Sequence, residues 1–513
     1  MIAAASADAF SVPPSNRTGV DGPSWCEPGL TARSGRYPLA VEAPVMAAVD
    51  MLVPGVSTVT RYARYYSLYW AVAAHAEASR LNRDECRRLV RRAEVGMAVI
   101  SKAYDDADGT LGLTHGVDAL TRLHPPPGSE FEVADGAGAR SYSPRSWGFW
   151  SQYNGPSVAL GTVETDGGAL RPGRHRCPAQ VLAMYAPLFT ACERGQGISL
   201  PSAELERLRL QQEQTPDLEP LRGVFTATLD SRHDPSLWSG DDRTRRATLR
   251  VLARCWQLHP QAKTWLEAFA AGVAYGPTAR EDPVLGGEER TATWRGVVLR
   301  HHSVGAWRRL WADLVAAVGS DGAFRRQLHE WISDRLPSGT VASFVADLPP
   351  TDLDGDPHPA EDKLRRADAG TVTDVAVLLL GARRLDTLTG MARRSFAGRR
   401  STYLDPTWVA QLRREFAGRS VADLGRRLVD DMLAQSRRVA MRKVAVGPHG
   451  TFALFSRLHE RNGLYFADSA EGRDNIGLRI PQLAGIATQV GLLTADPAQP
   501  VTAQGCDLLD LPA

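Results

Sequence analysis

Residues 53 to 70 read VPGVSTVTRYARYYSLYW, gathering Tyr62, Tyr65, Tyr66, Tyr69 and Trp70 in one run, although aromatics make up only 7% of the chain. Taken as a helix from about Ser57, with roughly 100° per residue, the run places Tyr62, Tyr65, Tyr66, Tyr69, Val72 and Ala73 on one face. Arg61, Arg64, Leu68 and His75 fall along its edge. A face this wide either packs into a helical core or stands as a platform on which bases stack while arginines hold phosphate. General burial tendencies favour the core for the tyrosines. Arg61 and Arg64 differ, because a guanidinium is costly to bury without an anion beside it.

The same helical signal recurs along the chain. In LNRDECRRLVRRAEVGMAVISKAY, Asn82 and Glu85 are spaced as a capping box. Leu89, Ala93, Met97, Ile100 and Tyr104 follow at helical spacing. In RTRRATLRVLARCWQLH, Leu249, Leu252, Cys255 and Trp256 form an apolar stripe against an arginine-rich face. Residues 105 to 175 have turn composition, with short strands expected within SWGFWSQYNGPSVALGTVE. Near the C-terminus, two apolar runs flank Asn462-Gly463, a hairpin signal because both residues tolerate positive φ. LRIPQLAGIATQVGLL then reads as a helix ending at Gly491.

These patterns predict a mainly α, multidomain protein with a mixed middle insertion and a small C-terminal α+β unit, compatible with a winged-helix-like module. The expected divisions are a loosely ordered arm over 1–40, a mainly helical domain over 41–335 with its insertion at about 105–175, a connector over 336–362, and a helical basic segment plus hairpin-helix unit over 363–513. A length of 513 residues agrees with more than one domain.

The formal net charge is +2, so attraction to a polyanion must come from a local patch. Of 60 basic residues only Lys102, Lys263, Lys363 and Lys443 are lysine. With abundant alanine, glycine and proline this is the composition of a GC-rich bacterial genome, so an isolated arginine carries little functional weight. Cys26, Cys86, Cys177, Cys192, Cys255 and Cys506 form no CxxC pair and no zinc spacing, so free thiols in a reducing compartment are expected. The N-terminal run has no basic n-region or sustained apolar stretch, and the longest apolar run, VAVLLLGA, is too short to span a bilayer. A cytoplasmic protein without membrane contact is expected.

No motif names a reaction. There is no Walker A sequence, no well-placed GxGxxG, no GxSxG elbow and no HExxH. Two acidic groups invite a metal reading: Asp105, Asp106 and Asp108 with His115 nearby, and Asp352, Asp354 and Asp356 with His358, Glu361 and Asp362. The first lacks the glycine position and closing glutamate of an EF-hand loop, and reads as a helix end with a polar turn. The second lies in a Pro/Gly connector and reads as solvated linker. No cofactor is expected.

The basic segment is the stronger signal. Between 391 and 443 there are thirteen Lys/Arg against five Asp/Glu, an excess of +8. Arg413, Arg414, Arg437, Arg438, Arg442 and Lys443 belong to it, and Arg457 and Arg461 sit at the hairpin beside it. Such a face neutralises phosphates in a sequence-independent, salt-sensitive way, or is merely a solvated helix surface in an arginine-biased sequence.

Pro54, Gly55, Thr60, Arg61, Arg64, Tyr65, Tyr66 and Ser67 form a PG…TxRxxRYYS-like run. It resembles a signature of uncharacterised bacterial proteins that are accessory components of anti-phage defence islands, found beside helicases or nucleases. RLHERNGLYFADSAEGRDNIGLRIPQLAGI resembles them in the same way. The resemblance covers about a tenth of the chain. It implies no catalytic residue.

Together these readings predict a non-enzymatic, nucleic-acid-associated subunit of a bacterial multi-gene system of anti-phage type. DNA is favoured over RNA, and partner proteins come from the same gene cluster. Its phosphate contacts are expected at Arg61, Arg64, Arg413, Arg414, Arg437, Arg438, Arg442, Lys443, Arg457 and Arg461. The alternatives are a subunit that packs on a partner enzyme, or a metal-dependent enzyme of unrecognised type.

Overall fold

The computed structural model describes residues 30–33, 36–105, 130–132, 146–194, 197–199, 202–210, 212–230, 234–319, 321–350, 358–366, 370–398, 402–446 and 452–512. The protein is mainly helical with small sheets, as the sequence predicts. It divides into two compact units, each assembled from separate parts of the chain. Unit 1 joins residues 1–48 to 270–476, and unit 2 joins 49–269 to 477–513. Residues 41–335, read from composition as one helical domain, therefore contribute to both.

Unit 2 is organised on the aromatic helix, Ala63–Ala78. It begins six residues later than the sequence suggests, because Ser57 and Thr60 bond to each other in a turn instead: Ser57 N–H donates to Thr60 Oγ1 at 2.8 Å. The first helical N–H, of Ala63, is received by Gln489 Oε1 at 2.9 Å, while Gln489 Nε2 donates to Arg61 O at 2.8 Å. One distant amide side chain thus does the work of an N-cap. Tyr65, Tyr66, Tyr69 and Trp70 have no solvent exposure, so the aromatic face is core and not an open platform. Its rings pack on Trp150, Tyr153 and Phe225 at centroid separations of 4.9 to 5.6 Å.

The helix Arg83–Asp105 carries the expected capping box: Asn82 N–H donates to Glu85 Oε2 at 2.8 Å and Glu85 N–H to Asn82 Oδ1 at 3.1 Å. Leu89, Ala93, Met97 and Ile100 are buried, as their spacing predicts. The middle insertion departs from expectation at its end. Residues Trp150–Leu160 are helical, not strand, despite Pro156 within. Trp150, Tyr153, Ser157 and Leu160 recur at helical spacing and all are buried, and that packing outweighs the breaker. Strands Val163–Asp166 and Ala169–Pro172 follow as a hairpin over Gly167-Gly168, both at positive φ.

The helix Gly240–Leu258 begins at a Ser239–Asp242 capping box and buries Leu249, Leu252, Cys255 and Trp256 as expected. Its arginine face is not all solvated. Arg245 is fully buried and bonds Asp242 Oδ1 at 2.6 Å, and Arg246 reaches Asp510 Oδ2 at 2.7 Å.

Unit 1 is built on the long helix Glu289–Val318. Against it pack Thr371–Arg384 and Gly390–Ala397. Gly296 permits this, since a Cβ there would lie 2.3 Å from Ala392 O. The basic helix, Val421–Arg442, packs on Arg325–Ser333. Two small sheets complete the unit. Leu30–Arg33 runs parallel to Phe452–Phe455, which also pairs with Ala445–Val446. Leu464–Ala467 pairs with Leu458–Arg461 and with Ala323–Phe324. The expected hairpin turn is present, with Asn462 at φ 52° and Gly463 at φ 77°. The helix after it, Ile480–Gln489, belongs to unit 2, so hairpin and helix expected as one C-terminal module fall in different units.

Among the described residues, no helix is long and apolar enough to cross a membrane.

Candidate anion-binding cleft

The three C-terminal arginines of the basic helix, Arg437, Arg438 and Arg442, open onto a cleft of about 810 Å³ in unit 1. Opposite them the long helix contributes Arg300, Ser303, Val304 and Trp307. The segment Thr402 to Pro406 forms a third side and residues 40–44 a fourth. Val304, Trp307 and Leu404 make an apolar lining, each no more than 2% exposed. Arg438 and Arg442 are one helical turn apart, so both side chains leave the same face. Gln435, a turn earlier, ties the N-terminal segment down by donating to Leu39 O at 2.9 Å.

The walls are held by a buried carboxylate on the basic helix. Asp431 accepts from Tyr403 OH at 2.6 Å, Trp408 Nε1 at 3.2 Å and Arg427 Nε at 2.9 Å. Burial, reinforced by that carboxylate, pushes the Tyr403 phenol up to about 12, so it stays a neutral donor. Arg438 lies over the Tyr403 ring at 4.1 Å, a cation–π contact that holds the guanidinium in place. Asp405 caps the helix Pro406–Glu415 by accepting from Trp408 N–H at 2.8 Å. Arg300 is 5% exposed and donates to Phe396 O at 3.0 Å.

Cleft electrostatics are one-sided. Four guanidinium groups line it against the single carboxylate of Asp405, whose oxygens already accept from Thr402, Thr407 and Trp408. Arg437 touches Glu460 only loosely, at 3.8 Å, in an exposed pair of little energetic weight. Arg442 is exposed. Cations at a helix C-terminus also offset its dipole, which accounts for part of their presence there. It does not account for Arg300, buried mid-helix on the other wall.

The remaining sequence candidates lie elsewhere. Arg64 is a correction: it is 2% exposed, its Nε lies 2.8 Å from Asp217 Oδ2, and it donates to Arg207 O, Gln212 O and Thr215 Oγ1. Its anion is a carboxylate of this chain, which leaves the guanidinium closed to phosphate. Arg61 is exposed in unit 2, outside the aromatic helix. Arg413 is paired with Asp386 at 2.7 Å, and Arg414 is exposed outside the cleft. Lys443 Nζ donates to Arg36 O at 2.5 Å and so pins the N-terminal segment. At the hairpin, Arg457 donates to Ala470 O and lies 3.6 Å from Glu471, and Arg461 is half-buried. Thus three of the ten expected residues, Arg437, Arg438 and Arg442, converge on one concavity.

Sequence reasoning missed Arg300, Tyr403 and Asp431. Asp405-Pro406 is a legible helix start, but nothing in sequence brings it beside residue 300 or 431.

Among the described residues, no group of three or more His, Cys, Asp or Glu is placed to hold a metal ion. Glu361 is buried and bonded to Arg384, and His358 Nδ1 accepts from Ala360 N–H at 3.1 Å. Asp352, Asp354, Asp356, Asp106, Asp108 and His115 lie outside the described residues, as does Cys26, and the side chains of Asp105 and Asp362 are not described. The adjacent His301 and His302 serve different faces: His301 Nε2 meets Ile476 O at 2.7 Å and His302 Nε2 meets Tyr275 OH at 2.6 Å.

No protein-family model, curated protein or solved structure matches the chain.

Proposed function

We propose that this protein is a non-enzymatic, nucleic-acid-associated component of a bacterial multi-gene system. The observation that carries the reading is the convergence of Arg437, Arg438, Arg442 and Arg300 on one cleft with a single, internally occupied carboxylate. Arginines arranged this way neutralise backbone phosphates without reading sequence. The local excess of +8 over residues 391–443 adds a basic approach surface, in a molecule whose net charge is only +2. DNA is favoured over RNA, and protein partners are expected from neighbouring genes. The anti-phage setting rests on the resemblance of residues 54–67 to defence-island proteins.

Fluorescence anisotropy with single-stranded and duplex DNA across a salt series tests the binding. Replacing Arg437, Arg438 and Arg442 together by glutamate should lower the slope of log K against log salt by about 2 to 3. Absence of binding at low salt, or an unchanged slope in the triple variant, refutes the reading. Co-purification of the neighbouring gene products tests the partnership.

A further inference from the structure

We infer that the cleft is a receptor for a nucleotide unit bearing a phosphate monoester, either a free nucleoside monophosphate or the phosphorylated terminal nucleotide of a single strand. This deepens the nucleic-acid reading above and rests on the same cleft.

Shape comes first. A volume of about 810 Å³, bordered by residues 40–44, the long helix, the Thr402–Pro406 segment and the basic helix and open to solvent, lies in the range of small-ligand sites. It admits a nucleotide or a strand end, whereas a duplex has to stay at the rim. A surface meant only to track duplex phosphates would be a stripe and not a recess.

Charge comes second. A phosphodiester carries one negative charge, and a terminal monoester up to two near neutral pH. Arg437 and Arg442 are exposed on the basic helix at the cleft, and Arg300 adds positive charge from the long helix, where it donates to Phe396 O and is offset by the Asp405 charge. Arg300 is built in, 5% exposed and donating to Phe396 O, and cannot swing out to a ligand on the surface.

The third element is a flat one. Arg438 is laid on Tyr403 at 4.1 Å, and Tyr403 is itself tethered through its hydroxyl to Asp431. A guanidinium held on an aromatic ring at the wall of a cleft is a place against which a base can stack. Thr402 and Gln435 are further polar residues of the lining, Gln435 donating to Leu39 O and Thr402 to Asp405. Phosphate clamp and stacking plane belong to one recess, which is the pairing a nucleotide requires and an inorganic anion does not.

The test is competition and direct binding by the full chain, with decathymidylate carrying a 5′-phosphate, a 3′-phosphate or only hydroxyl ends, and with thymidine monophosphate and inorganic phosphate as competitors. Phosphorylated strands should bind about tenfold or more tightly than the hydroxyl strand. Thymidine monophosphate should displace them far better than inorganic phosphate. Arg442→Ala should remove the advantage of the phosphorylated end, and Arg438→Lys, which keeps the charge but not the plane, should shrink the advantage of the nucleotide over phosphate. Arg326→Ala, at an exposed position outside the cleft, should change nothing.

If phosphorylated and hydroxyl strands bind alike and thymidine monophosphate does not compete, the inference is overturned, while salt-dependent strand binding leaves the preceding reading intact. If thymidine monophosphate binds and no strand does, the free nucleotide is the source and the preceding reading falls instead. If nothing binds, both fall. Circular dichroism of each variant shows that lost binding is not lost folding.

Discussion

Arg64 and Asp217 form an ion pair, Nε to Oδ2 at 2.8 Å, in a place where neither side chain is more than 2% exposed. Asp217 also accepts from Ser67 Oγ at 2.6 Å and Thr215 Oγ1 at 2.7 Å, and Tyr185 OH lies 2.9 Å from Ser67 Oγ. Removing one partner strands the other's charge in the core. Arg64→Ala and Asp217→Ala should each cost about 3 to 5 kcal/mol in urea unfolding, and Arg64→Met with Asp217→Leu clearly less than the sum. Additive losses would show that the two charges do not act as a pair.

Glu94 is a fully buried carboxyl that accepts from Tyr69 OH at 2.7 Å and from the N–H groups of Phe149 and Trp150 at 2.9 and 2.8 Å. Burial is the dominant influence and lifts it from 4.5 to about 7, against the lowering effect of those donors. A carboxyl raised in the folded state stabilises fully below its unfolded value, and that stability is lost as pH rises toward 7. Wild type should therefore lose on the order of 3 kcal/mol relative to Glu94→Gln between pH 4.5 and 8. Parallel stability curves for the two proteins over that range would refute this.

Asp431 anchors both Tyr403 and Trp408 and is 3% exposed. Asp431→Ala leaves two half-buried donors and Arg427 without their acceptor, and should destabilise unit 1 by about 2 to 3 kcal/mol. Tyr403→Phe keeps the ring under Arg438 and should cost only about 1 kcal/mol. Thermal denaturation of the two variants side by side separates them. Equal shifts would mean that the carboxylate serves Tyr403 alone.

Gly296 and Ala392 mark the closest approach of the long helix to Gly390–Ala397. A methyl at 296 would sit 2.3 Å from Ala392 O and 2.7 Å from Ser395 Cβ. Gly296→Ala gains helix propensity, yet the clash should dominate, with a net loss of about 1 to 3 kcal/mol. Stability equal to or above wild type would show that the two helices part easily.

Local signals were legible where one helix or turn sufficed. The Asn82–Glu85 box, the core stripe of Leu89 to Ile100 and the Asn462-Gly463 turn all depend on neighbours in sequence. Trp150–Leu160 is a helix where short strands are expected, because it contains Pro156, a local breaker, while the packing that overrides it is not local. Arginine was the hardest residue to read. Arg64, Arg245 and Arg246 look like surface charges, and each is buried on partners 3 to 264 positions away. The cleft was half-legible for the same reason. Arg437, Arg438 and Arg442 stand together in sequence, but Arg300 and Tyr403 join them only through tertiary structure.

The alternating division of the chain between the units bears on the order in which they can form. Residues 1–48 are made before 270–476, yet the two belong to one unit. Unit 2 has most of its residues by 269, but Arg246 and Arg250 of the helix Gly240–Leu258 donate to the carbonyls of Leu508 and Leu509, about half the chain later. During synthesis the first stretch must wait for residues 270–476, and the helix Gly240–Leu258 stays without these partners until residues 508 and 509 have emerged. Long-range assembly of this kind delays folding, and a chain stalled or clipped before residue 477 leaves the surface of that helix uncovered.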